Sequence, residues 1–471
     1  MDFGARPGHP LLYTVAATGD RPMSFTADGL PAGLQIDSSN GRISGTIATP
    51  GETSVTVHAS NALGTAARKL KLIIGDKIAL TPPMGWNSWN CWHGSIDQEK
   101  ILRAARAMAS TGLVNHGWSY INTDDGWQGM RGGELNAIQG NPKSFPDIKA
   151  MCDEIHSLGL KAGIYSTPWV SSYAGHVGGS SENEQGTWNH AMTKGPMNQK
   201  ILPHAIGRYL FDKQDAEQWA AWGVDYLKYD WAPNEMPETK AMYDALNDSG
   251  RDIALSLSNN TTNSLFKIIP EMSQIANCWR ISGDIGDSWP SIVGHGFNQD
   301  KWAPFAGPGR WNDPDMLEIG ANGGGTPKKL TADEQFTHVS LWCLLSAPLL
   351  LGCDMDHLTP FTLGLITNDE VLAVDQDALG KQGTAVRKNA TMQVVAKDME
   401  DGSKAVGLFN LGPAEQTIGV DWSDLKISGQ QTVRDLWRQK DLGKFGEKVE
   451  ATVPSHGVIL IRISSAITAY H

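Results

Sequence analysis

Residues 223–233, GVDYLKYDWAP, begin like a buried strand, with Val224, Tyr226 and Leu227 suited to a core, and then place Lys228 and Asp230 in immediate succession. Side chains alternate across a strand, so Lys228 and Asp230 share one face and Tyr229 takes the other. Comparable endings recur along the chain. YINTDD closes on Asp124 and Asp125, CWRISGD carries Arg280 and Asp284, and the aromatics Trp89 of MGWNSW and Tyr165 of KAGIYS close two further runs. One charged pair fits a strand that surfaces in water, where charge costs little. Several such endings fit a common mouth. Two carboxylates placed across a sugar can hydrolyse a glycosidic bond: one attacks the anomeric carbon or activates water, and the other protonates the leaving oxygen.

The elements that would position these residues are short apolar runs alternating with helical segments from Thr81 onward. Runs ending near residues 84–89, 120–125, 161–166, 225–230, 253–258, 278–284, 309–315 and 347–352 make eight candidate strands. Between them lie amphipathic stretches such as SIDQEKILRAARAMAS, where Ser95 and Gln98 have capping-box spacing, and TADEQFTHVSLWCLLS, where Thr331 and Glu334 repeat it. Eight β-α units predict a TIM barrel, whose active sites lie at the carboxyl ends of the strands. Before it, residues 1–76 alternate apolar and polar positions between Gly, Pro and Asn turns, including Asn40-Gly41, and predict a small β-sandwich. Beyond residue 380, MQVVAKDM, KAVGLFNL, QTIGVDW and ATVPSHGVILIRI predict a C-terminal antiparallel β domain. The expected architecture is thus multidomain: a (β/α)8 barrel over 77–379, flanked by β domains over 1–76 and 380–471.

Composition narrows the chemistry. With a net charge of -12 and no basic run, the chain is a poor partner for nucleic acid or an anionic membrane. Seventeen Trp against 11 Phe and 9 Tyr favour indole, which suits the apolar faces of sugar rings. Cys91, Cys152, Cys278, Cys343 and Cys353 are odd in number and widely spaced, with no zinc-type pairing, so neither a disulfide framework nor a metal site is indicated. No cofactor is expected. The first ten residues lack the regions of a signal peptide, and the expectation is a secreted or periplasmic protein whose export signal is absent from this sequence.

PPMGWNSWN, YINTDDGWQG, KAGIYS, DYLKYD, WRISGDIGDSW, GRWNDPDMLEIG and SAPLLLGCDM resemble glycoside hydrolase family 27, the α-galactosidase and α-N-acetylgalactosaminidase family. GLPAGLQID, GRISGT and HASNALG resemble the immunoglobulin-like domains often attached to bacterial glycoside hydrolases. The resemblance implies a retaining exo-enzyme without metal or organic cofactor, acting on a carbohydrate ending in α-galactose. It also implies that Asp230 is the nucleophile and Asp284 the acid/base, with Trp89, Asp124, Asp125, Tyr165, Lys228 and Arg280 at sugar-binding positions. Lys228, on the same strand face, is expected to lower the pKa of Asp230 and keep it anionic. Asp313 and Asp315 flank a proline and read as loop structure, Asp287 as a helix start, and His176 and His204 as solvated loop residues. Two features depart from the family pattern. The stretch from 167 to 212 is longer than usual and lacks a common cysteine pair. After the fifth run, SLSNNTTN places the small Ser258 and Thr261 where the sugar's 2-position is read, which keeps α-N-acetylgalactosaminidase and β-L-arabinopyranosidase open as alternatives. A non-catalytic carbohydrate-binding protein is the alternative of another class.

Overall fold

The computed structural model describes residues 1–189, 204–258 and 262–465; Thr261 and part of the long 167–212 stretch lie outside them. All eight runs read from the sequence are strands: β1 (Met84–Asn87), β2 (Tyr120–Asn122), β3 (Lys161–Ser166), β4 (Val224–Asp230), β5 (Ala254–Ser258), β6 (Cys278–Arg280), β7 (Trp311–Asp313) and β8 (Leu349–Leu351). They pair in parallel in the order β7, β6, β5, β4, β3, β2, β1, β8. The last strand therefore lies beside the first, and the sheet is curled like a TIM barrel. Its two edges, β7 and β8, share no ladder; between them runs one isolated parallel bridge, Leu317 to Leu351. There the Leu317 N–H donates to the Leu350 carbonyl at 2.8 Å and the Gly352 N–H to the Leu317 carbonyl at 3.1 Å. The eight-stranded parallel sheet agrees with the sequence expectation, whereas the complete ring is not formed by ladders. Close strand approach explains one glycine: a Cβ at Gly163 would stand 1.9 Å from Asn122 Oδ1.

Helices follow the strands: α1 (Gln98–Ser110), α2 (Ile148–Ser157), α3 (Asp212–Trp222), α4 (Met236–Asp248), α5 (Thr262–Met272), α6 (Trp289–Gly296), α7 (Ala332–Leu345), α8 (Pro360–Ile366) and α9 (Asp369–Asp375). The capping box of α7 forms as its sequence indicates, from Thr331 and Glu334. That of α1 does not. Asp97, with extended backbone, caps α1 by accepting from the Lys100 N–H at 2.9 Å, and Ser95 belongs to the preceding turn. A carboxylate at the helix N-terminus also meets the positive end of the helix dipole.

One buried cluster joins Trp86, Ile121, Ile164, Leu227, Leu257, Trp279 and Leu349 of the strands with Ile101, Trp219 and Trp342 of the helices. It continues into Val395, Ala405, Phe409 and Leu460, so one face of the C-terminal sheet shares the barrel's core. That C-terminal region has a six-stranded antiparallel sheet and a two-stranded one, with Val406, Leu408, Val420, Trp422 and Ile461 in a separate core. Strands Thr384–Lys388, Gln431–Asp435 and Lys440–Phe445 join those read from the sequence.

The N-terminal residues form a four-stranded and a three-stranded sheet around Phe25, Ile43, Val55, Leu70 and Leu72. They dock on the end of the parallel sheet where strands begin. The Arg6 backbone N–H and His9 Nδ1 each lie 2.9 Å from the Asp252 carboxylate, just before β5. The Thr14 hydroxyl donates to the Gly159 carbonyl at 2.7 Å, just before β3.

Candidate active site

At the opposite end, where the strands finish, charged side chains that the apolar core would reject are gathered together. Lys228 and Asp230 share a face of β4, as strand alternation requires, while Tyr229 on the other face donates its hydroxyl to Asp212 of α3 at 3.0 Å. Lys228 Nζ donates to Asp124 Oδ2 at 2.7 Å, beyond the end of β2, and lies 5.7 Å from the Tyr165 ring centroid on β3. The Asp124 N–H in turn donates to Ser88 Oγ at 2.9 Å, beside Trp89 at the end of β1. Trp89 is half-buried, and its own N–H is held by Asn87 Oδ1 at 2.9 Å.

Arg280 organises the other side. From β6 its Nη2 reaches Asp284 Oδ1 at 3.0 Å and Asp315 Oδ2 at 3.0 Å, and its Nη1 lies 3.4 Å from Ser258 Oγ on β5. Ser258 is in register with Asp230 across β4 and β5, so the residue Arg280 reaches on β5 is the backbone partner of the β4 carboxylate. Lys228, Ser258, Arg280, Asp313 and Asp315 line one cavity. The two carboxylates of the expected pair have opposite surroundings: Asp230 is 4% exposed, whereas the Asp284 side chain is 76% exposed.

Burial sets the electrostatics. It pushes Asp230 up to about 6; Lys228, Tyr165 and Arg280 pull the other way, and Asp124 adds to the rise. The expectation that Lys228 would hold Asp230 below the ordinary carboxylate range therefore fails, because desolvation outweighs the ammonium. Burial likewise pushes Asp313 up to about 6 against the pull of Arg280. Asp125, 1% exposed, is pushed up to about 6 by burial although it accepts from the Ala174 N–H at 2.9 Å and Gln128 Nε2 at 3.0 Å. Burial opposes the charge of Lys228, but the carboxylates of Asp124 and Asp230 prevail and hold its pKa above the ordinary lysine value.

Asp124 is thus in direct contact with Lys228, and Ser258, Asp284 and Asp315 with Arg280. Asp230 shares the Lys228 face and pairs through its backbone with Ser258, Tyr165 lies near Lys228, Asp125 follows Asp124, and Trp89 follows Ser88, which accepts the Asp124 N–H. Asp313 and Asp315 belong with them more closely than their reading as loop residues anticipates. Asp315 binds Arg280 and also accepts the Ile285 N–H at 2.8 Å, from a left-handed backbone with φ of 84°. The signal was present: WNDPD ends a strand with carboxylates just as KYD does. Asp287 does not cap α6, whose N-cap is Ser288; its carboxylate instead accepts the backbone N–H groups of Lys329 at 2.7 Å and Leu330 at 3.3 Å. Trp188 holds down the long loop by donating to Ser171 Oγ at 2.9 Å, and the exposed His204 stacks on Trp169 with centroids 4.5 Å apart. Among the described residues no group of three or more His, Cys, Asp or Glu is arranged to hold a metal ion. The five cysteines are buried thiols.

A family model described as Alpha galactosidase A matches residues 81–193 and 197–377, well over half of the chain. The chain belongs to glycoside hydrolase family 27. It is a glycoside hydrolase, and double displacement with retention is general to this family. A second model, the Alpha galactosidase C-terminal beta sandwich domain, matches residues 389–463, and an Ig domain model matches 1–75. Alpha-galactosidase 2 of Arabidopsis thaliana is 36% identical over 393 residues, covering 82% of this chain and 90% of its own length. A crystal structure of a candidate α-galactosidase from Bacteroides fragilis superposes with a TM-score of 0.87 at 30% identity, over 99% of this chain and 96% of that one. The family 27 β-L-arabinopyranosidase of Geobacillus stearothermophilus gives a TM-score of 0.69 at 27% identity, over 83% of this chain and 98% of that one.

Proposed function

We propose that this family 27 enzyme is an exo-acting α-galactosidase in which Asp230 is the nucleophile and Asp284 the acid/base. The observation that carries the reading is the contrast within the pair. Asp230 is buried on the strand face of Lys228, and Asp284 stands exposed on the loop after β6 in the grip of Arg280. In the first step an Asp230 oxygen bonds to the anomeric carbon as the glycosidic bond breaks, and Asp284 gives its proton to the leaving oxygen. In the second, Asp284 takes a proton from water, whose oxygen displaces Asp230 and restores the original anomeric configuration.

Around these two, Asp124, Asp125 and Lys228 bind sugar hydroxyls, Trp89 and Tyr165 bound the ring, and Arg280 with Ser258 faces the 2-position. The small Ser258 keeps α-N-acetylgalactosaminide in contention, and the Geobacillus relative keeps β-L-arabinopyranoside. Asp124 is short enough to leave room for the C6 hydroxymethyl, which favours galactose. In this reading the sheet closes into a (β/α)8 barrel at the seam where Leu317 bridges to β8, and the enzyme works outside the cytoplasm.

Hydrolysis of p-nitrophenyl α-galactoside, α-N-acetylgalactosaminide and β-L-arabinopyranoside tests the substrate, with α-galactoside expected to be best. A clear preference for either rival overturns it. Azide tests the roles: Asp230→Ala should yield the β-glycosyl azide and Asp284→Ala the α-glycosyl azide, and the reverse outcome would exchange nucleophile and acid/base.

A further inference from the structure

Asp284 owes its position to its loop, since most of its side chain is in solvent and its only neighbouring cation is Arg280 among the described ion pairs. That loop is tied at several points. Its Ile281 N–H donates to the Asp313 carbonyl at 2.9 Å, its Ile285 N–H to Asp315, and its Gly286 N–H to Ser291 Oγ at 2.8 Å. Asp287 fastens it to the backbone before α7. The last tie comes from another domain. Trp289, at the start of α6, stacks on His456 with ring centroids 4.3 Å apart and an interplanar angle of 13°.

His456 is itself held in place. Its Nδ1 lies 2.7 Å from Glu334 Oε1, and its carbonyl accepts the Thr337 hydroxyl at 2.6 Å, both from α7. Its backbone is left-handed, with φ of 58°, where glycine or asparagine would fit with less strain. A non-glycine residue in such a conformation, followed directly by Gly457, points to a use for its side chain. We propose that His456 is a positioning residue: through its stack on Trp289, the C-terminal domain fixes the loop that presents the Asp284 proton. The proposal rests on Asp284 being the acid/base.

A misplaced acid hurts most where the leaving group needs its proton. The measured quantity is kcat/KM, which reports glycosylation, on methyl α-galactoside and on 2,4-dinitrophenyl α-galactoside, whose phenolate leaves unprotonated. His456→Asn keeps a residue suited to the left-handed turn and removes the ring; Trp289→Ala removes the other half of the stack, and Trp289→Phe retains a ring. The first two should lose about tenfold on the methyl glycoside and stay within about twofold on the dinitrophenyl one, which also shows that they are folded. Trp289→Phe should stay near wild type on both. Equal losses on both substrates, or none on either, would overturn the proposal. A wild-type enzyme inactive on both glycosides would overturn the α-galactosidase reading itself, and the proposal with it.

Discussion

In the proposed mechanism Asp230 must attack as an anion, and burial pushes its pKa up to about 6. Free enzyme should therefore lose kcat/KM as pH falls below about 6, because the protonated form cannot attack. The same shift has a sign for stability. The folded state holds this proton more tightly than the unfolded chain does, so the group favours folding below the ordinary carboxylate range, and that contribution is lost as pH rises through about 6. Asp230→Asn removes the buried charge while Asp124 still pairs with Lys228. We expect the variant to be inactive yet more stable than wild type at pH 7.5, by about 1 to 3 kcal/mol, with the gain vanishing toward pH 4. Thermal melts at the two pH values check this. A variant less stable at pH 7.5 would mean that Lys228 depends on Asp230 more than burial penalises it.

Among elements, helix α1 separates two readings of one sequence. Ser95 has the spacing of a capping box with Gln98, but the chain turns through Ser95 and leaves Asp97 as the residue whose backbone is extended and whose carboxylate meets the Lys100 N–H. Asp97→Ala should cost about 1 kcal/mol in denaturant unfolding, whereas Ser95→Ala should stay within about 0.5 kcal/mol. The other order would restore the box. The C-terminal strands teach a related lesson. Runs such as QVVAKD and AVGLFN are legible because they bury successive apolar residues, while Lys440–Phe445 is exposed along most of its length and is held by pairing with Gln431–Asp435. A strand recruited by its neighbour carries little apolar signal of its own.

For the whole molecule, the placement of the N-terminal domain is decisive. It docks where β3 and β5 begin, through Arg6, His9 and Thr14, and the charged site lies where the strands end. The Geobacillus relative is matched over 98% of its length by 83% of this chain, so a family 27 fold is complete without an added domain of this size. A chain starting at Asp76 should keep kcat/KM on p-nitrophenyl α-galactoside within about threefold, with a lower melting temperature from the lost interface. Folded but inactive protein would show that the N-terminal sheets shape the site from below.

The order of eight strands, the residues at their ends and the family were legible in the sequence, because apolar runs that stop at Lys228, Asp124 or Arg280 record both a buried strand and an unusual ending. Thr331 and Glu334 were legible for the same local reason, a hydrogen bond within one turn. Tertiary structure alone decided the rest. The pKa of Asp230 depends on how completely neighbouring strands exclude water, and desolvation is a property of the packed assembly rather than of any segment. The contacts of Asp315, Asp287 and His456 reach groups 35 to 167 residues away from them, from Asp315 beside Arg280 and Asp287 beneath Lys329 to His456 stacked on Trp289. No local pattern encodes such contacts, since each partner is chosen by where the fold brings it.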